Sequence, residues 1–208
     1  MPGDRLTLTR GEWAILVFTL AYVAGFTVSF LLRGNYEFII YVATMALLIG
    51  LVGWNLRRAA FPEPMLAALS LWGLAHMAGG GIPVGDSVLY SLPLIPIVGT
   101  GEMTILKYDQ LVHAYGFGVT AWVLWHLMAH NHPALRGSRT IYVYPALAAM
   151  GLGAVNEIIE FGAVLMVPET NVGGYYNTLL DLCFNALGAV LAMVVVARLE
   201  AGRTAARP

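Results

Sequence analysis

Six apolar stretches alternate with polar or glycine- and proline-rich segments along the chain, at 13–32, 38–54, 65–77, 111–128, 141–166 and 178–197. A helix needs roughly 20 apolar residues to cross the hydrocarbon. The third stretch is short by that measure and the others are near it. Lipid offers no partners to backbone N–H and C=O groups, so each span must be helical. The pattern predicts an all-α polytopic membrane protein: one integral membrane domain over 1–208 with six transmembrane helices. Arg5 and Arg10 precede the first stretch as they would in a signal peptide. Its apolar run is too long for an h-region and no A-x-A site follows, so it reads as an uncleaved span. The chain shows no internal repeat and no low-complexity tract.

Two connectors stand out. The one at 79–107, between helices 3 and 4, carries Gly79, Gly80, Gly81, Pro83, Pro93 and Pro96. Its run at 88–97 is too apolar for a free aqueous loop. That predicts a segment lying at the interface or folded back over the bundle as a lid. A connector this long without helical pattern is often functional; an interfacial spacer is the plainer reading. The connector at 167–177 carries Gly173, Gly174, Tyr175 and Tyr176 and no basic residue.

Composition agrees with the pattern. Of 208 residues 59% are hydrophobic and 11% charged, with a mean hydropathy of +0.73. Soluble domains carry about 25% charged residues. The numbers exclude a disordered chain, a disulfide scaffold and a nucleic-acid binder with a basic face. Cys183 is the only cysteine, so no intrachain disulfide can form. Membrane lipids are the expected partners, and a homo-oligomer is left open.

Basic residues set the orientation. Arg5, Arg10, Arg57, Arg58, Arg136, Arg139, Arg198, Arg203 and Arg207 share one side if there are six spans, leaving only Arg33 and Lys107 on the other. Both termini are therefore expected in the cytoplasm. The outer connectors are then 33–37, 79–107 and 167–177.

An ionisable residue inside a span is costly and usually faces a cavity or a partner. Asp109 and His113 open the fourth span, Glu157 and Glu160 lie in the fifth, and Asp181 and Asn185 in the sixth; His76 ends the third. At 1.5 Å per residue, Glu160 and Glu157 sit roughly 9 and 14 Å below the outer end of their span. All seven fall in the outer half of the bilayer, and the inner half has no comparable cluster. Asp109 and His113 are i,i+4, Glu157 and Glu160 i,i+3, Asp181 and Asn185 i,i+4, so each pair shares one helical face. Turned inward, these faces would bring together four carboxylates, two imidazoles and an amide. Lys107 is the nearest cation.

Four carboxylates cannot all stay ionised together in low dielectric. They hold protons, or a cation sits among them. Carboxylate and imidazole ligands suit a divalent zinc, iron or manganese ion. Three readings follow: a metal centre, a hydrogen-bonded structural network with Asn156, Asn185 or Tyr115, and a proton or ion path. Asp109 taken alone could be an N-cap or simply solvate a span end. His126, His130 and His132 read as an interfacial basic cluster with Arg136 and Arg139. Cys183 is expected as a core thiol. Gly116, Gly118, Gly151, Gly153 and Gly188 are expected where helices approach closely.

The order Tyr108-Asp109-x3-His113, then Asn156-Glu157-x2-Glu160-Phe161, then Thr178-x2-Asp181-x3-Asn185-x2-Gly188 resembles the YjdF-like family of bacterial inner-membrane proteins. More distantly it is similar to VanZ-like proteins. The likeness covers about His76 to Ala192. It departs where a tryptophan would follow the second glutamate and Phe161 stands, and where a Gly-His pair would end the third span and Ala75-His76 stands. The resemblance implies a six-span fold and says little about chemistry; the VanZ-like kinship hints at an envelope role.

The leading functional expectation is a membrane enzyme, a hydrolase or transferase acting on a lipid or lipid-linked envelope precursor. Asp109, His113 and Asp181 would hold the metal, with His76 a further ligand or an acid for the leaving group. Glu157 or Glu160 would be the general base, and Asn185 would orient a ligand or substrate oxygen. The alternatives are a small transporter or ion-binding protein using the same acidic cluster, and a structural subunit.

Overall fold

The computed structural model describes residues 8–34, 39–95, 104–166 and 174–205. Among them are six α-helices: α1 (Arg10–Arg33), α2 (Ile39–Ala59), α3 (Glu63–Gly81), α4 (Tyr108–Asn131), α5 (Thr140–Met166) and α6 (Tyr175–Ala205). Each lies over one of the six apolar stretches, with Phe38 of the second outside the described residues. Their ends run past the apolar runs, because a helix can finish in polar residues that apolarity alone does not mark. Hence α3 is longer than its stretch suggested, and α6 begins at Tyr175 rather than 178. Of the expected outer connectors, 35–37, 96–103 and 167–173 lie outside the described residues. Among the described residues, Arg10–Arg33, Thr140–Gly162 and Tyr175–Arg203 are long and apolar enough to cross a membrane.

The chain divides into two compact units between Met77 and Ala78. In the first unit, α1 starts with a reciprocal cap. The Glu12 N–H donates to Thr9 Oγ1 (3.0 Å) and the Thr9 N–H to Glu12 Oε2 (2.8 Å), satisfying two N-terminal donors at once. Arg57 of α2 donates to both oxygens of Glu12, at 3.1 and 2.9 Å. Thr19 and Ser70 share a hydroxyl hydrogen bond of 2.6 Å, and the Tyr22 hydroxyl donates to the Ser70 carbonyl. These buried polar groups of the first unit are matched donor to acceptor, as burial requires. His76 belongs to this unit, its ring edge-on to Tyr41 with centroids 4.9 Å apart.

The second unit is built on α4, α5 and α6, with α4 and α6 the most extensive pair. Its apolar core is made largely of small residues: Ala121, Ala146, Ala149 and Ala189, with Met193 and Val196. Small side chains let helix axes come close, which is how helices gain packing where no hydrophobic force separates them from solvent. The outward faces are apolar instead. On α5, Ile158 (67% exposed) and Phe161 (62%) flank Glu157 and Glu160 (6% each). That polarity, carboxylates in and aliphatics out, suits lipid and not water.

The described part of the long connector is folded against this unit. β1 (Pro83–Val84) and β2 (Ser87–Val88) form a small antiparallel hairpin, with Gly85 at φ 58° in its turn, where glycine is favoured. A 3-10 turn, Leu89–Ser91, follows and buries Tyr90. Gly79 of α3 makes room for that ring, since a Cβ there would meet a Tyr90 ring carbon at 2.2 Å. The connector's two ends are then zipped together. Leu94 N–H donates to Leu106 O and Tyr108 N–H to Leu92 O, both at 2.9 Å. The Gln110 side chain accepts from the N–H groups of Leu106 and Lys107 and donates to Thr104 O. So the connector's end is pinned to the first turn of α4, the turn that carries Asp109.

Candidate metal centre

Two glycines and an alanine set the distance between α4 and α6. A Cβ on Gly188 would lie 1.8 Å from the Ala114 carbonyl oxygen, and one on Gly118 3.2 Å from the Gly188 oxygen. The backbones therefore touch with no side chain between them. Within two turns on the N-terminal side of this crossing in both helices, Asp109 and His113 on α4 meet Asp181 and Asn185 on α6. Gly153 of α5 leaves the space that Asn185 fills; a Cβ there would come within 2.6 Å of its Nδ2. Gly151, expected at a helix contact, faces open space instead.

Five acidic and imidazole side chains converge and all are buried: Asp109, His113, Glu157, Glu160 and Asp181. Among the described residues they form two groups with ligand atoms within 4.8 Å of one another: Asp109–His113–Asp181 and His113–Glu157–Glu160. His113 is common to both. Its Nε2 lies 3.5 Å from Asp109 Oδ1, and its Nδ1 lies 3.0 Å from Asn185 Oδ1 and 3.7 Å from Glu157 Oε1.

Hydrogen bonding fixes which nitrogen can bind a metal. Asn185 Oδ1 only accepts, so Nδ1 carries the proton and donates to it. When unprotonated, Nε2 is an acceptor facing another acceptor, Asp109 Oδ1, at 3.5 Å. Two acceptors facing each other inside a protein need a proton or a cation between them. Among the described residues, both oxygens of Glu157 and Oδ1 of Asp181 are buried without a hydrogen-bond donor, and Asn185 Nδ2 is buried without an acceptor. Asp181 is 0% exposed. An imidazole held at one nitrogen by an amide, with the other aimed at carboxylates, is an arrangement metal sites use.

Not every sequence expectation lands in the cluster. Asn156 does serve a carboxylate, donating to Glu160 Oε1 at 2.8 Å. Asn185 bonds the imidazole rather than a carboxylate. Cys183 is exposed, which corrects its reading as a core thiol: at 100° per residue it is turned away from the buried face of Asp181. His126 and His130 stack at 6.1 Å and belong to neither group of metal-competent residues.

A further amide joins the cluster. Asn177 Nδ2 donates to Asp181 Oδ2 and also lies 3.3 Å from Asp109 Oδ2, bridging two helices with one amide. Its i,i+4 spacing to Asp181 was visible in the sequence, but the helix was expected to start one residue after it. Asn177→Ala should lower stability by about 1–3 kcal/mol, the usual cost of orphaning buried acceptors. Asn55→Ala, which removes only an exposed bond to Leu51 O, should stay within about 0.5 kcal/mol. Thermal unfolding in detergent tests both, and equal midpoints would show that the bridge carries nothing.

One family's sequence profile matches residues 14–202. The chain belongs to this family, described as predicted membrane protein (DUF2238). The match spans all five clustered residues and agrees with the membrane class read from hydropathy. No curated protein and no solved structure matches the chain.

Proposed function

We propose that this membrane protein binds a divalent cation through Asp109, His113 and Asp181 and uses it on a lipid or lipid-linked envelope precursor. The observation that carries the reading is His113 Nε2 facing Asp109 Oδ1 at 3.5 Å, beside an Asp181 oxygen with no donor. A zinc, iron or manganese ion suits that donor set and would supply Lewis-acid chemistry. Glu157 or Glu160 on α5 accepts the proton from an attacking water or hydroxyl, and Asn185 keeps the imidazole in its ligating tautomer. The kinship suggested by the YjdF-like and VanZ-like order of motifs would fit an envelope substrate.

Elemental analysis of the purified protein tests the metal. The expected result is stoichiometric divalent metal that Asp181→Asn abolishes. Glu157→Gln should retain an ion at Asp109, His113 and Asp181 while losing metal-dependent turnover of phospholipid or lipid-linked precursor in reconstituted vesicles. A protein with no stoichiometric metal would end the enzyme reading.

Six spans with both termini in the cytoplasm of a bacterial inner membrane complete the proposal, resting on the bias of arginines to one side. Reporter fusions at the C-terminus should be active only in their cytoplasmic form. An external C-terminus would overturn the topology and with it the outward placement of the cluster.

A further inference from the structure

We infer that the cluster is built for two divalent cations, one among Asp109, His113 and Asp181 and a second held by Glu157 and Glu160. The inference rests on the metal reading above and extends it to the α5 pair. Three observations lead to it. First, the two metal-competent groups share only His113, whose Nε2 faces Asp109 while Nδ1 faces Glu157. With Nδ1 donating to Asn185, the ring can ligate at the first position only, and its N–H edge borders the second, which is left to Glu157 and Glu160. Second, both oxygens of Glu157 are buried with no donor among the described residues. An ion bound only on the Nε2 side leaves that deficit in place. Asn156 donates to Glu160 Oε1, the kind of outer support that aims a ligating carboxylate.

Third, the charges do not balance with one ion. Asp109, Glu157, Glu160 and Asp181 carry four formal negative charges and all are buried. Neither α4 nor α5 contains a lysine or arginine. On α6, Arg198 lies roughly 25 Å along the axis from Asp181. Lys107, just before α4, is half-buried. One divalent ion leaves two of these formal charges, and Lys107, which acts on Asp109 and Asp181, offsets one of them; the Glu157 and Glu160 pair on α5 is left without a cation in a medium where that is expensive. Paired ions about 4 Å apart, clamped by carboxylates from facing helices, are a known solution for displacement at phosphorus or carbonyl centres. Ligation by one carboxylate oxygen leaves the other able to accept a proton, so the α5 pair can serve in both ways.

Manganese is the probe. The full-length protein in detergent, stripped with a chelator, is titrated with Mn2+; bound metal is counted and its electron paramagnetic resonance recorded. The expected wild-type result is two ions per chain with the signal of a spin-coupled pair. Glu157→Gln should bind one ion and show the hyperfine pattern of an isolated Mn2+. Glu160→Gln should do the same, which guards against a folding defect in either variant. Saturation of the wild type at one ion overturns the inference and leaves the single-metal reading standing, with protons neutralising the α5 pair. Two ions retained in both variants also overturns it, because the second position would then lie elsewhere. No stoichiometric Mn2+ at all would remove the metal reading itself.

Discussion

Gly188→Ala is expected to disrupt the second unit more than any other single methyl added to it. The new Cβ would sit 1.8 Å from the Ala114 carbonyl oxygen, 2.6 Å from its carbon and 2.8 Å from its Cα. All three are backbone atoms, so no side chain can swing aside and α4 and α6 must part. Overpacking a well-fitted contact costs typically 1–3 kcal/mol and more where backbone must shift; about 3 kcal/mol or more is expected here. Because Asp109 and His113 ride on α4 and Asp181 on α6, the same shift should weaken metal binding. Gly151→Ala is the comparison. Nothing lies within 4 Å of its added Cβ, and alanine is the better helix former by about 1 kcal/mol. Unfolding in detergent and metal content after purification measure both. A Gly188→Ala protein as stable as wild type would show that α4 and α6 do not cross as closely as described.

His113→Ala should reduce divalent-metal affinity by more than about 100-fold while the protein still inserts. Removal of an outer partner alone typically costs 10–100-fold, and His113 is the sole imidazole in both metal-competent groups. Asn185→Leu should fall in that smaller range, because it frees the Nδ1 proton without removing the ligand. Affinity should drop as pH falls, since protons compete for carboxylate and imidazole lone pairs. The sign is the same for every ligand in the set. Calorimetric titration of the stripped protein reads all three effects. Suppose instead that His113→Ala lowers the unfolding midpoint while neither protein holds metal. The cluster would then be a structural hydrogen-bond network.

Much of the fold was legible in the sequence, because lipid leaves the backbone few choices. Apolar runs of spanning length must be helices, and the helices lie on the predicted runs. Helix ends were less legible. Tyr175, Tyr176 and Asn177 have no apolar periodicity, so α6 was expected to begin after them and the Asn177 bridge was missed. The long connector showed only that it was too apolar to be free. That Tyr90 packs against Gly79, and that Leu92 and Leu94 pair with Tyr108 and Leu106, depends on residues more than ten positions apart.

The candidate site divides along the same line. Sequence by itself determined which side chains could take part. Asp109 with His113, Glu157 with Glu160, and Asp181 with Asn185 share faces because 3.6 residues make a turn. Their burial followed from the cost of turning a carboxylate to lipid. What only the tertiary structure decided is the pairing between helices. Periodicity fixes an angle around one axis but says nothing of the distance or rotation between axes. Those came from Gly188 against Ala114 and from Gly153 against Asn185, contacts that depend on the absence of a side chain and leave no polar signature. Through them Asn185 reaches the Nδ1 of His113, and that one hydrogen bond decides which imidazole nitrogen is left to face Asp109.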